Sequence, residues 1–267
     1  MSHRLTILGC GSSGGVPRIG AMWGSCDPAN PRNRRRRCAV LVERTGLGGR
    51  TAVLVDTPPD LREQLLEVRV AALDGVLYTH DHADHTHGID DLRMVAYAMR
   101  RRIGVWADPD TARSLVERFA YCFKTPPGSS YAPILDIHEI MEGRAVRIDG
   151  AGGPIEAMPI PQIHGDIGSL GFRFGRVAYS PDISGVPESS LPLLEGLDVW
   201  IVDALRYTAH PSHFRVRQAV EWIERVKAKR GILTHMTGDL DYEALRRELP
   251  PHIEPAYDGM VVDFAVN

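Results

Sequence analysis

Apolar residues along the chain recur in short blocks with two periods. Residues 5–8, 39–42, 52–55, 73–78, 103–106, 134–140, 145–148, 155–160, 198–203 and 231–235 are aliphatic, largely β-branched runs that read as strands. Residues 171–180 read as a hairpin, and 253–266 as the segment that closes the sheet. Gly46-Leu47-Gly48-Gly49-Arg50 supplies hairpin turn chemistry between the second and third runs. Helical spacing appears at 61–68 and at 86–102, where Ile89, Leu92, Val95, Ala96 and Met99 share a face. It recurs at 110–123, with Leu115, Val116 and Phe119 inward, after His210-Pro211-Ser212-His213, with Val216, Val220, Ile223 and Val226 inward, and at 241–249. Two successive β-rich halves interleaved with helices predict an α/β sandwich with its helices outside.

Two stretches break the pattern. Gly9, Gly11 and Gly14 match Gly-x-Gly-x-x-Gly, but Gly15-Val16-Pro17 continues as loop, and a dinucleotide fingerprint needs a helix to begin there. The glycines instead predict a sharp, close-packed loop. Residues 18–38 turn to Gly, Pro, Asn and Arg, an irregular excursion carrying Arg34 to Arg37, which reads as a solvated loop face ahead of a substrate-phosphate contact.

With 267 residues and 43% of them hydrophobic, one domain over 1–267 can bury a substantial core. A net charge of −3 gives no global attraction for nucleic acid or an anionic membrane. The run 5–8 is too short for a signal-peptide core and no apolar stretch reaches membrane-spanning length, so the expected location is the cytoplasm. Cys10, Cys26, Cys38 and Cys122 are dispersed, with neither a disulfide framework nor a thiolate zinc site in their spacing.

The chemistry is concentrated directly after the run 73–78, in Thr79-His80-Asp81-His82-Ala83-Asp84-His85. Imidazole and carboxylate are what a first-row divalent metal takes from protein, and His-x-His-x-Asp-His at a strand end aims four such groups into one cleft. Alternation places His80 and His82 on one side, and a turn into a helix brings Asp84 and His85 to a neighbouring point. Two metals sharing a site fit that geometry.

Thr79 to His85 resembles the signature of the metallo-β-lactamase-fold hydrolases. Gly9-Cys10-Gly11-Ser12-Ser13-Gly14-Gly15-Val16-Pro17, Gly88-Ile89-Asp90-Asp91-Leu92-Arg93 and Tyr257-Asp258-Gly259-Met260 are similar to the branch containing phosphoribosyl cyclic phosphate phosphodiesterase. The resemblance implies a four-layer αββα sandwich with a dinuclear site at one edge. His80, His82 and His164 would hold one ion, and Asp84, His85 and His235 the other. Asp182 would bridge them, with a helix cap as its other reading. Asp84 would also serve catalysis. Asp56 would support a metal-binding histidine or cap a helix, Asp203 would support the site, and His213, at a helix start, would be the catalytic histidine that binds no metal. His210 is a weaker candidate for that role, and His87 is expected to face solvent or support the site. Relatives often carry three clustered cysteines for a structural metal where this chain has only Cys26, so that site is not carried over.

Two ions roughly 3.5–4 Å apart share a hydroxide made available at neutral pH, which attacks phosphorus in line with the leaving oxygen. The donor set favours zinc first and manganese second. The expected substrate is a small cyclic phosphodiester, and the expected partners are that phosphorylated molecule and, as an open option, a second copy of the chain. A transfer-RNA 3′-processing nuclease shares these ligands, but the loop at 126–130 lacks a long RNA-gripping arm and is expected only to border the cleft. A non-catalytic, metal-stabilised binding or assembly factor is the remaining alternative.

Overall fold

The aliphatic runs become strands, the central ones with both faces buried. In the computed structural model β1 (Ser2–Gly9), β2 (Ala39–Gly46), β3 (Gly49–Val55), β4 (Gly75–Leu77), β5 (Ile103–Ala107) and β6 (Leu135–Glu139) build one sheet. The other comprises β7 (Val146–Ile148), β8 (Ile155–His164), β9 (Ile167–Phe174), β10 (Val177–Ser180), β11 (Val199–Asp203), β12 (Arg230–Thr234) and β13 (Ile253–Pro255), while β14 (Val261–Phe264) returns to β1. The structure describes residues 2–266; Met1 and Asn267, the ends of the expected domain, lie outside them. Residues 253–266 therefore close both sheets rather than one.

Alternation decides the layers. Leu5, Ile7, Val40, Val42, Val53, Val55 and Leu77 face inward and pack with Phe172, Tyr179 and Ile201 of the second sheet. Leu8, Leu41, Leu54, Val76 and Val105 point outward, against residues of α1 (Leu61–Glu67) and, beyond a short α2 (Ala83–Thr86), of α3 (Leu92–Met99), α4 (Pro109–Arg118) and α5 (Ala120–Phe123). On the far face of the second sheet lie α6 (Val216–Val226), burying Ala219 and Ile223, and α7 (Tyr242–Glu248), burying Leu245. The result is the αββα sandwich.

Several boundaries differ from expectation. The helical pattern at 86–102 opens as a 3-10 turn, Ile89–Asp91, and becomes α-helix only at Leu92, since i, i+3 spacing suits both. The pattern at 110–123 is two helices, broken at Phe119 with φ −124° and ψ 38°. His213 precedes α6 in irregular chain rather than sitting in its first turn.

The excursion at 18–38 is irregular apart from the 3-10 turn Pro31–Asn33, and of Arg34 to Arg37 only Arg34 is exposed. Arg35 is 1% exposed and donates to the carbonyls of Leu240 at 2.6 Å and Thr237 at 3.1 Å. Arg36 pairs with Asp258 and Glu67, and Arg37 with Asp60. The glycine loop lies against this segment: a Cβ on Gly9 would stand 2.0 Å from the Arg37 carbonyl oxygen. The loop at 126–130 borders a hollow with Tyr97, Tyr121 and Tyr131 rather than the histidine cleft.

Parallel pairing gathers the strand ends at one edge. Ser180 pairs with Val202 and Asp203 with Thr234, which brings Asp182, Asp203 and His235 together. In the first sheet Val55 pairs with Leu77, so Asp56 and Thr79 emerge side by side.

Candidate metal centre

All ten sequence-derived site residues converge on this edge. His80, His82, His164 and Asp182 present donor atoms within 4.8 Å of one another, and so do Asp84, His85 and His235. Asp182 stands between the two groups. Its Oδ2 lies 3.7 Å from His80 Nε2 and 3.5 Å from His164 Nε2, while its Oδ1 lies 3.1 Å from His85 Nε2 and 3.4 Å from His235 Nε2. Asp84 Oδ2 is 3.6 Å from both His85 and His235. His82 points Nδ1 inward, 3.3 Å from His164 Nε2.

Three of the buried rings are oriented from behind. His85 Nδ1 donates to Asp56 Oδ2 at 2.7 Å, and Asp56 also accepts from the amide and hydroxyl of Thr79. His80 Nδ1 lies 3.0 Å from that hydroxyl, and His164 Nδ1 donates to the Ser212 carbonyl at 2.6 Å. These bonds leave Nε2 of His80, His85 and His164 turned towards Asp182 and select the tautomer a ligand needs. Asp56 does not cap α1, whose N-cap is Asp60. Asp182 caps nothing either, because the next helical turn starts at Glu188. Asp56 and His235 hold φ of 66° and 57°, the left-handed region that is costly for side chains other than glycine and typical of functional sites.

Nε2 of His80, His85 and His235 and Oδ1 of Asp182 are buried without a hydrogen-bond partner among the described residues. Four such atoms facing one point are expensive unless a cation satisfies them. Electrostatics agree. Burial drives His80 well below the ordinary imidazole value and His164 down to about 4, so both are neutral donors at pH 7. Against burial, Asp182, Asp84 and Asp56 hold His85 well above its usual value, and His235, His85 and His80 hold Asp182 well below. Excess carboxylate thus recruits positive charge where divalent ions would supply it, and the residues present fit a two-metal centre.

His213 stands at the rim, 11% exposed on its side chain, with Nδ1 2.7 Å from Asp203 Oδ2 and Nε2 4.0 Å from Asp182 Oδ2. With Asp182 and His235 it forms a third group of donors within 4.8 Å. Asp203 is fully buried, and burial raises its carboxyl well above the usual range. His210 packs beside His213 at 5.1 Å between ring centroids, its Nδ1 3.3 Å from the Ser212 amide; His87 is exposed, against Phe119. Sequence reading missed Thr79 and the Ser212 carbonyl. A threonine directly before the histidines was a readable signal, whereas a backbone carbonyl leaves none.

Fold and site together define a metallo-β-lactamase-fold hydrolase, and residues 51–236 match the family described as a Beta-lactamase superfamily domain, to which the chain belongs. Within it the chain resembles the PhnP branch: it is 36% identical to a crystal structure described as a new diphosphatase from the PhnP family, with a TM-score of 0.88 over 99% of this chain and 98% of that one. It is 30% identical over 259 residues to an octanoyltransferase of Porphyromonas gingivalis strain W83, covering 96% of this chain and 51% of that protein. The chain thus spans about half the length of that curated relative. Human tRNase Z, short form, shares the fold at 19% identity and a TM-score of 0.64, over 97% of this chain and 98% of that one. No helix of the described residues is long and apolar enough to cross a membrane.

Proposed function

We propose that the protein hydrolyses a small cyclic phosphodiester of the phosphoribosyl cyclic phosphate or cyclic nucleotide type. His80, His82 and His164 would hold one divalent ion and Asp84, His85 and His235 a second, with Asp182 between them. The observation that carries this reading is the division of Asp182, one oxygen towards each group of donors. Bound, the ions supply Lewis acidity and an activated water, zinc being favoured over manganese by the affinity order for nitrogen and oxygen donors.

The chain's own residues do the rest. Asp56, Thr79 and Ser212 fix the rings. Asp84, held ionised by His85 and His235 against burial, can accept a proton from the attacking water. His213, aligned by Asp203, reaches the rim with Nε2 free to stabilise the phosphate or to protonate the departing alkoxide.

A diphosphate linkage is the second reading, favoured by the description of the 36%-identical relative. Elemental analysis of the purified protein, followed by a panel of cyclic diesters, linear diesters, diphosphates and pre-tRNA, tests both. Preferential opening of cyclic diesters supports the first reading. Salt-sensitive cleavage of pre-tRNA would replace it with the nuclease, and bound metal without turnover would replace it with a binding factor.

A further inference from the structure

Of the five imidazoles gathered at the centre His82 alone is exposed, and it turns Nδ1 inward where the others turn Nε2. No described residue hydrogen-bonds its Nε2, so nothing behind the ring does for His82 what Asp56 does for His85. Backbone handles take that place. On the far side of His82 the Thr86 hydroxyl and the His85 amide donate to its carbonyl at 2.9 Å and 3.0 Å. On the near side Arg118 Nη1 donates at 2.6 Å to the carbonyl of Asp81, part of the rigid peptide plane that carries the His82 nitrogen.

Arg118 grips more than that carbonyl. Its Nη2 donates to Asp81 Oδ2 at 2.9 Å, and the Ser114 hydroxyl donates to the same oxygen at 2.7 Å. Ser114 and Arg118 are four residues apart and therefore neighbours on α4, whose adjoining face seats Ala112 and Leu115 in the outer core. A helix anchored in the core thus holds the peptide between two donor histidines. With the two side chains 48% and 30% exposed, the Arg118–Asp81 ion pair adds little to stability, so its consequence lies in what it holds.

We infer that Arg118, with Ser114, is a positioning residue for His82. Its guanidinium fork fixes the peptide before His82 and so sets where Nδ1 stands for the ion shared with His80 and His164. That role rests on the two-ion reading and brings α4 into it. Charge makes the sign of the effect decisive: removing a cation near a dication's site and releasing the Asp81 carboxylate favour metal by Coulomb's law alone. Only lost positioning weakens binding.

Full-length protein stripped of metal is titrated with Zn²⁺ against a chromophoric chelator, as the natural chain, Arg118→Met and Arg118→Lys. Arg118→Met should weaken one of the two equivalents by about 10–100-fold and leave the other unchanged. Arg118→Lys, whose single ammonium does not span both acceptors, should recover part of that loss. In ¹⁵N-histidine spectra of the Zn²⁺-loaded protein, the ring bound through Nδ1 should move towards free imidazole in Arg118→Met while the rings bound through Nε2 hold. Unchanged or tighter binding overturns the inference. So does weakening of both equivalents alike, or of one with the Nδ1-bound ring unmoved, since either makes the contact a tether for α4 only. Should Arg118→Met fail to fold, Arg118→Lys is judged by the same readouts. Natural protein that takes up no Zn²⁺ brings down the two-ion reading itself, and this role with it.

Discussion

His213 Nδ1 stands 2.7 Å from Asp203 Oδ2, and this contact fixes the ring so that Nε2 faces the gap above Asp182. Because Asp203 is wholly buried at the end of β11, the imidazole is positioned by the sheet rather than by the loop that carries it. Replacing His213 with Ala should leave metal content intact and slow diester cleavage by about two to four orders of magnitude. Unchanged turnover would remove His213 from the chemistry, and lost metal would make it a ligand.

Asp182 should behave differently. An Asp182→Asn variant keeps the shape but loses charge at the point shared by five imidazoles and Asp84, so elemental analysis should find fewer than two equivalents of metal. Two full equivalents after dialysis would refute the bridging role.

Asp56 touches no open space. Its removal acts through His85 and Thr79, and Asp56→Asn should weaken metal binding by about 10–100-fold, read by competition with a chromophoric chelator. Unaltered affinity would reduce Asp56 to a packing role.

Burial lowers His164 from 6.5 to about 4, which links stability of the metal-free protein to pH. A depressed imidazole binds fewer protons folded than unfolded, so its contribution is full above pH 6.5 and is lost as pH falls towards about 4. Denaturant titrations should show metal-free protein losing stability across that window, with a shallower loss in His164→Asn. Equal slopes would place the coupling elsewhere.

Arg35 holds Thr237 and Leu240 to the excursion at 18–38. Arg35→Leu strands both carbonyls, which should cost about 3 kcal/mol and lower Tm on the order of 10 °C. A melt within a degree of the natural protein would show that water replaces the guanidinium.

Arg35 also marks where the sequence stops being informative. Its carbonyl partners lie more than 200 residues away, and an arginine-rich loop looks the same whether it is solvated or folded back on the chain. The central strands were legible because each has one face towards the other sheet and one towards helices, leaving aliphatic runs. His80 to His85 were legible because the donors are adjacent, whereas His164, Asp182 and His235 each needed the family resemblance. The break at Phe119 was not legible, since its neighbours keep helical spacing on both sides.

His80, His82, Asp84 and His85 leave the first sheet, whereas His164, Asp182 and His235 leave the second. A cation gripped by both works as a rivet through the two layers. Neither half of a growing polypeptide can assemble the reactive centre alone, so a partly synthesised or clipped chain stays inert, and hydrolytic power arrives only with the finished sandwich.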